Sequence, residues 1–380
     1  MTEKLSDARN GMTLLDGRIM RLREVALANK LDAVVVSHLS NLFYLTHLRT
    51  SAGVLVVDVN DGSLRFLLDF RYQTAGTALI KERRGPTGLE VVPVTGSYEE
   101  TVAAVLNSTS VTRVGVEADH TTVRQWQWLG RHAHVSLVPL VDLVERLRMI
   151  KDEEEVAVLR RAGRLLSEVV PDVIALASRN RAEVEIAREI DRLVLEAGFE
   201  RTAFETIVAS GPNSALPHAH PTARELSDGD LVILDFGGVL DGYCVDISRT
   251  VVVGIADAER RRLYSAVQEA QRAAIDKVIP GESAEQVDAA ARSVLDSYRL
   301  GEAFGHSTGH GLGLDVHELP RVGRRQGSAE PVILERGMVF TIEPGVYVPG
   351  LGGVRIEDDV LVTASGVELL TYRAGELVAT

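Results

Sequence analysis

Leu31–Ser37 (LDAVVVS), Gly53–Asp58 (GVLVVD), Leu64–Asp69, Val91–Val94 and Val114–Glu117 are short apolar runs bounded by polar or turn-forming residues. That is the pattern of strands in a mixed sheet. Between them, Arg18–Asn29, Tyr72–Lys81 and Tyr98–Asn107 read as helices. Strands this apolar need cover on both faces, so the first half is expected to be an α/β layer domain. It carries no glycine-rich phosphate fingerprint. The dense charge run Arg146–Glu155 (RLRMIKDEEE) reads as a solvated helix start or linker. The domain boundary is placed within it, giving residues 1–148 and 149–380.

Beyond the boundary, apolar residues such as Val156, Leu159, Leu166 and Val169 recur at helical spacing and predict helices over Glu154–Ala177 and Arg181–Ala197. Thr206–Ser210, Leu231–Phe236 and Cys244–Val253 then read as strands. Two more helices, Ala256–Val278 and Ala284–Tyr298, precede strands at Met338–Ile342, Val354–Thr363 and Glu368–Leu370. The order of two helices, a hairpin, two helices and a hairpin points to an α+β domain built from two similar halves around a sheet.

Composition narrows the function. The chain has 380 residues, 45% of them hydrophobic and 25% charged, as in a globular protein with room for about two domains. Its 41 Lys and Arg against 54 Asp and Glu leave a net charge of -13, which repels nucleic acid and anionic membrane. The lone cysteine, Cys244, has no internal disulfide partner. Met1–Asn10 is polar and lacks the apolar core of an export signal, and no long apolar span occurs, so a reducing, cytoplasmic setting is expected.

Candidate chemistry concentrates in four segments of the second half. In Leu231–Thr250 (LVILDFGGVLDGYCVDISRT), Asp235 and Asp246 interrupt apolar strands, where desolvating a carboxylate is expensive without compensation. A turn near Leu240 and Asp241 makes the two face each other across a hairpin. In Phe340–Thr363, Glu343 ends one apolar strand and Glu357 lies inside the next, equidistant from Gly350. Taken singly these are as well read as rim acids; two such hairpins point to shared cations. Phe304–Glu318 (FGHSTGHGLGLDVHE) carries His306, His310 and His317 among glycines that allow close backbone approach. No Gly-Lys-Ser/Thr follows, which excludes a phosphate loop. Ser210–Thr222 places His218 and His220 in a proline-bounded loop that reads either as a site loop or as a surface turn. Four carboxylates and at least one imidazole suit two divalent ions such as manganese, iron or cobalt and favour hydrolysis.

The segments LDFGGVLDGYCVDISRT, STGHGLGLDVHELP, TIEPGVY and GVRIEDDVLVT resemble the two-domain metallopeptidases of the pita-bread fold, specifically proline dipeptidases (prolidases) and aminopeptidase P. These enzymes cleave the bond before proline. NLFYLT (Asn41–Thr46) and DFRY (Asp69–Tyr72) resemble motifs of the creatinase-type amino-terminal domain, and IKDEEEVAVLRRA (Ile150–Ala162) resembles the start of the catalytic domain. The resemblance implies that Asp235, Asp246, His310, Glu343 and Glu357 are metal ligands. Asp246 and Glu357 would bridge two ions, Asp235 would complete one, and His310 with Glu343 the other. It also implies that a metal-bridging hydroxide attacks the scissile carbonyl while Glu343 relays a proton towards the leaving nitrogen. His218 and His317 would contact substrate and stabilise the intermediate, and Arg355 would hydrogen-bond carboxylates near the site.

The cofactor so implied is a pair of divalent ions, manganese first, with cobalt, iron or zinc as alternatives. The implied partners are Xaa-Pro dipeptides or longer proline-containing peptides and a second copy of the chain as a homodimer. His47 stands where a glycine usually follows YLT, and His220 and His306 fall on less defined positions. Cys244, two residues from Asp246, is expected on the same strand face and reads first as a small core residue. Competing readings are a creatinase-like amidinohydrolase, which acts without metal and lacks the complete ligand set, another metal-dependent hydrolase or lyase of this fold, and a non-catalytic binding protein. Methionine aminopeptidases generally lack the large first domain.

Overall fold

Val34 and Val36 are fully buried, and so are their strand neighbours Leu55 and Val57, which is why the first unit is built around a continuous apolar sheet rather than an alternating one. The computed structural model describes residues 13–325, 327 and 330–380. Met1–Asn10, read above for export signals, lies outside them. The chain divides into two compact units, one ending at Arg148 and the other running Met149–Thr380.

In the first unit, strands β1 (Ala33–Val36), β2 (Val54–Asp58), β3 (Leu64–Leu68), β4 (Leu89–Pro93), β5 (Arg113–Glu117) and β6 (Ser136–Leu140) form one sheet in the order β4-β3-β2-β1-β5-β6. It is mixed, as expected: β1, β5 and β6 run parallel, whereas β1, β2 and β3 are successively antiparallel. Helices α1 (Leu14–Ala28), α2 (Leu39–Thr46), α3 (Phe70–Lys81), α4 (Tyr98–Asn107), α5 (Val123–His132) and α6 (Glu145–Arg148) join the strands. Three of these helices and β6 escape the periodicity reading. Among its ten residues α5 buries only Leu129, so it carries no apolar stripe, and β6 is a half-exposed edge strand containing Pro139. His47 ends α2 at φ 56°, a left-handed position that favours glycine, and its ring meets Arg18 at 3.2 Å.

The second unit begins with α7 (Glu153–Leu176) and α8 (Glu183–Glu196). Asp152 caps α7 through the Glu154 and Glu155 amides, and Glu155 reciprocates to the Asp152 amide. The charge run is only partly solvated, contrary to the sequence reading. Arg148 and Glu155 are buried, and so is Lys151, which pairs with Glu318 at 2.8 Å. Burial of these charges is tolerated because each has a partner.

The sheet β7 (Arg201–Thr202), β8 (Ile207–Ser210), β9 (Leu231–Leu240) and β10 (Tyr243–Val252) follows, then α9 (Ala258–Asp276) and α10 (Ala284–Ser297). A second sheet contains β11 (Gly309–Gly311), β12 (Glu318–Val322) and β13 (Val339–Ile342). The short ribbon β14 (Gly345–Val348) and β15 (Gly352–Arg355) interrupts it before β16 (Asp358–Thr363) and β17 (Gly366–Leu369). Strand β18 (Val378–Ala379) joins the edge of β10. Ile342 and Ile356, each next to a candidate acid, are fully buried in a core shared with Val267, Ala270 and Ala291 of α9 and α10. Burying each large aliphatic side chain contributes roughly 1.5–3 kcal/mol, which offsets the cost of the acids beside them. Among the described residues no helix is long and apolar enough to cross a membrane.

Candidate metal centre

The β9–β10 hairpin turns at Asp241 and Gly242, both with positive φ (48° and 89°). Asp-Gly is the dipeptide that a two-residue type I′ turn prefers. The turn therefore lies one residue later than the sequence reading placed it, and the register shifts. Asp246 stands opposite Gly237, and Asp235 opposite Ser248. Asp235 and Asp246 are diagonal neighbours on one face rather than a directly facing pair.

The second pair arises at a break between two ladders. Ile342 pairs with Asp358 in one, and Gly345 with Arg355 in the other. One step beyond 342 and 358 lie 343 and 357, so Glu343 comes level with Glu357. Glu357 thus sits at the junction between β15 and β16 rather than inside a strand. Freed from the ladder, the Glu343 amide donates to the Thr308 carbonyl at 2.7 Å, and the Glu357 amide to the Ser248 carbonyl at 3.1 Å. These two bonds tie the acids to the histidine segment and to the first hairpin.

His310 occupies the middle of β11. A Cβ on Gly309 would come within 1.8 Å of the Thr341 carbonyl oxygen, so only glycine lets β11 lie this close to β13. The His310 amide donates to Thr341 Oγ1 at 3.1 Å. Its Nδ1 faces the Gly311 carbonyl at 3.1 Å, which fixes the proton there and leaves the Nε2 lone pair free. That Nε2 points at Glu343 Oε1 (3.7 Å) and Asp246 Oδ2 (3.9 Å). Burial, reinforced by His317, lowers the His310 pKa to about 4, so the ring is neutral at physiological pH.

Ligand atoms of Asp246, His310 and Glu357 all lie within 4.8 Å of one another. Asp235 Oδ1, Asp246 Oδ1 and Glu357 Oε1 are buried and have no hydrogen-bond partner, although such oxygens are costly to leave unsatisfied. Burial first, then mutual repulsion, raises the pKa of Asp246, Glu343 and Glu357 well above the carboxylate range. Asp359, buried beside them, is raised for the same reasons. Oxygen-rich donors with orphaned lone pairs and one neutral imidazole fit a hard or borderline divalent cation.

Arg355 organises the other side. It is 4% exposed, pairs with Asp235 through Nη2, and donates from Nε to Ser248 Oγ (3.0 Å) and from Nη1 to Tyr347 Oη (3.0 Å) and the Pro217 carbonyl (3.1 Å). Tyr347 in turn donates to His306 Nε2 at 2.9 Å, since His306 Nδ1 faces the Ser307 carbonyl. Burial lowers the His306 pKa to about 4.

His317 is exposed and meets the His310 ring edge-on at 4.3 Å. His218 is exposed, next to the Pro217 carbonyl held by Arg355, and lies within electrostatic reach of His306 and His317. His220 is exposed and pairs with Glu205 at 3.3 Å. Cys244 is buried, with Sγ 3.9 Å from the Leu314 carbonyl.

Ser248, Tyr347 and Asp359 were not singled out by sequence reasoning. Ser248 is two residues from Asp246, so strand alternation was the available signal. Asp358 is different: Arg249, Gln271 and Thr371 saturate its carboxylate, which makes it a structural acid.

Residues 157–364 match the family described as Metallopeptidase family M24, and residues 18–150 match the Creatinase/Prolidase N-terminal domain. An uncharacterized peptidase of Bacillus subtilis is 34% identical over 95% of this chain and 99% of its own length. An Xaa-Pro dipeptidase of Pyrococcus horikoshii is 32% identical over 97% of this chain and all of its own. The solved Xaa-Pro dipeptidase from Bacillus anthracis superposes with a TM-score of 0.90 at 32% identity, covering 96% of this chain and 100% of that one. Members of the family use divalent metal ions, in keeping with the donor set described above. The fold is a creatinase-type amino-terminal domain followed by a pita-bread catalytic domain, and the chain belongs to metallopeptidase family M24.

Proposed function

We propose that this metallopeptidase hydrolyses the peptide bond preceding proline, as an Xaa-Pro dipeptidase or Xaa-Pro aminopeptidase. Asp235, Asp246, His310, Glu343 and Glu357 would hold two divalent ions, manganese before cobalt, iron or zinc. The observation that carries this is the set of three buried, unpartnered carboxylate oxygens, on Asp235, Asp246 and Glu357, beside the neutral Nε2 of His310. When bound, such ions supply Lewis acidity and make water acidic enough to react near neutral pH.

The chain's own groups do the rest. Glu343, whose pKa is raised by burial and by Glu357, is suited to hold a proton on its carboxylate and pass it to the leaving nitrogen. His218 and His317 flank the cluster and are assigned to the substrate carbonyl and its developing charge. Arg355 holds Asp235 and, through Ser248, Glu357. The split at residue 148 would separate this catalytic domain from the amino-terminal domain, and the reading includes a homodimer and a cytoplasmic setting. The names of the relatives described above support the proline preference.

The test compares an Xaa-Pro dipeptide with an Xaa-Pro-Yaa tripeptide on one manganese-loaded sample. Turnover of the dipeptide alone assigns a dipeptidase, and turnover of the tripeptide assigns an aminopeptidase. Hydrolysis of neither, with metal bound, overturns the reading.

A further inference from the structure

Three parallel strands of the first unit, β1, β5 and β6, end on the same edge of its sheet. In an α/β sheet that edge, outside the carboxyl ends of the strands, is where ligands bind. The segments leaving these strands carry His38, His120 and Glu145. His38 is the residue before α2, His120 lies in the turn after β5, and Glu145 opens α6. His38 Nδ1 stands 3.7 Å from Glu145 Oε1 and His120 Nε2 3.6 Å from the same oxygen. One ligand atom from each residue lies within 4.8 Å of the other two. Two donors on one tetrahedral zinc, each about 2.1 Å from the ion, stand roughly 3.4 Å apart.

The carboxylate at the centre is held in place from behind. Asn41, fully buried, donates from Nδ2 to Glu145 Oε1 (2.6 Å) and to Glu117 Oε1 (2.7 Å), and accepts from Arg148 Nη1 (2.8 Å). Glu117, 3% exposed, accepts the amides of Ser37 (2.6 Å) and His38 (2.8 Å), which fixes the backbone carrying the first imidazole. Burial alone would raise the Glu145 pKa, but the His38 ring 3.7 Å away, the hydrogen bond from Asn41 and the charge of Arg148 bring it to about 2. Glu145 is therefore anionic throughout the physiological range. Asp119 and Asp142 add negative charge nearby, against Arg146 and Arg148. The two imidazoles stack face to face, 3.7 Å between centroids and 2° apart in plane, and both present a nitrogen towards Glu145. Two imidazolium ions at that separation repel, whereas a single shared dication serves both lone pairs.

We propose that His38, His120 and Glu145 form a further divalent-cation site on the amino-terminal unit, taking a borderline ion of the zinc class and leaving the remaining positions to water. Two imidazoles and one carboxylate are a donor set zinc accepts, and the partial exposure of His120 leaves a path for the ion. Asn41 and Glu117 supply the outer hydrogen bonds that orient such ligands. A bound ion joins the segments after β1, β5 and β6 and so stabilises this unit.

The test is the zinc content of the full chain after dialysis against micromolar zinc, for the unaltered protein, His120→Ala and His38→Asn. Both variants are expected to retain about one zinc fewer per chain. In addition, zinc should raise the melting temperature of the unaltered protein more than that of His120→Ala, whose melting in chelator matches the unaltered chain. Manganese-loaded His120→Ala should keep its Xaa-Pro hydrolysis. Equal zinc content in all three proteins overturns the proposal, whatever the peptidase activity. A zinc difference in a chain that hydrolyses no Xaa-Pro peptide overturns the functional reading and leaves this site standing.

Discussion

Ser248 donates from Oγ to Glu357 Oε2 at 2.8 Å and accepts from Arg355 Nε at 3.0 Å, so one oxygen of Glu357 is held while Oε1 is left without a partner. The serine thereby decides which way the carboxylate faces. Ser248→Ala should fold normally and weaken manganese binding about 10–100-fold, the usual effect of losing an outer hydrogen bond to a ligand. Manganese titration followed by activity measures it, and unchanged affinity would show that Glu357 is oriented by packing alone.

Glu343→Gln keeps the shape of the side chain and removes the titratable proton. At saturating manganese, kcat for an Xaa-Pro dipeptide should fall about 10²–10⁴-fold, the range for loss of a general acid or base. KM should change little. A variant with near-normal kcat would remove Glu343 from proton transfer.

The raised carboxylates make a pH prediction with a definite sign. Asp246, Glu343 and Glu357 have folded-state pKa values above their ordinary 3.8 and 4.5, burial being the largest cause. Without metal, the folded chain then binds protons that the unfolded chain has already released. The contribution to stability is fully present below the unfolded values and is lost as pH rises through the folded ones. Metal-free protein should therefore lose melting temperature between about pH 5 and about pH 8 relative to manganese-loaded protein. Manganese binding in weak buffer near neutral pH should release protons, which calorimetry in buffers of different ionisation enthalpy detects. Proton uptake or no exchange would contradict the assigned directions.

Gly309→Ala tests how closely β11 must approach β13. The added Cβ meets the Thr341 carbonyl oxygen at 1.8 Å, a backbone contact that cannot rotate away. The strand carrying His310 has to move. Destabilisation of about 1–3 kcal/mol, typical of overpacking, should accompany weaker metal binding, read by thermal melting and manganese titration. A variant indistinguishable from the parent in both would refute the role given to this glycine.

Much of the second unit was readable from period and composition, because its helices carry continuous apolar stripes. Val156, Leu159 and Leu166 are buried as their spacing requires. The acids stood out because Asp235 and Asp246 interrupt strands where desolvation is costly. Register was not readable to one residue: centring the turn on Leu240 and Asp241 overlooked that Asp241 and Gly242 are the pair suited to positive φ. Strands whose residues lack apolar alternation were also lost. Gly309–Gly311 reads as a loop until Thr341 is seen against it, and Gly237 and Gly238 hid the second half of β9. Ser248, Tyr347 and Asn41 act through hydrogen bonds to residues distant in sequence, which no local pattern reveals.

Metal-dependent cleavage before proline is open to a direct assay. The purified chain is stripped with chelator, divided, and assayed on an Xaa-Pro dipeptide with and without added manganese. No hydrolysis is expected in the stripped sample, and release of free proline is expected once manganese is restored. Equal hydrolysis in both samples, or none with manganese demonstrably bound, would contradict it.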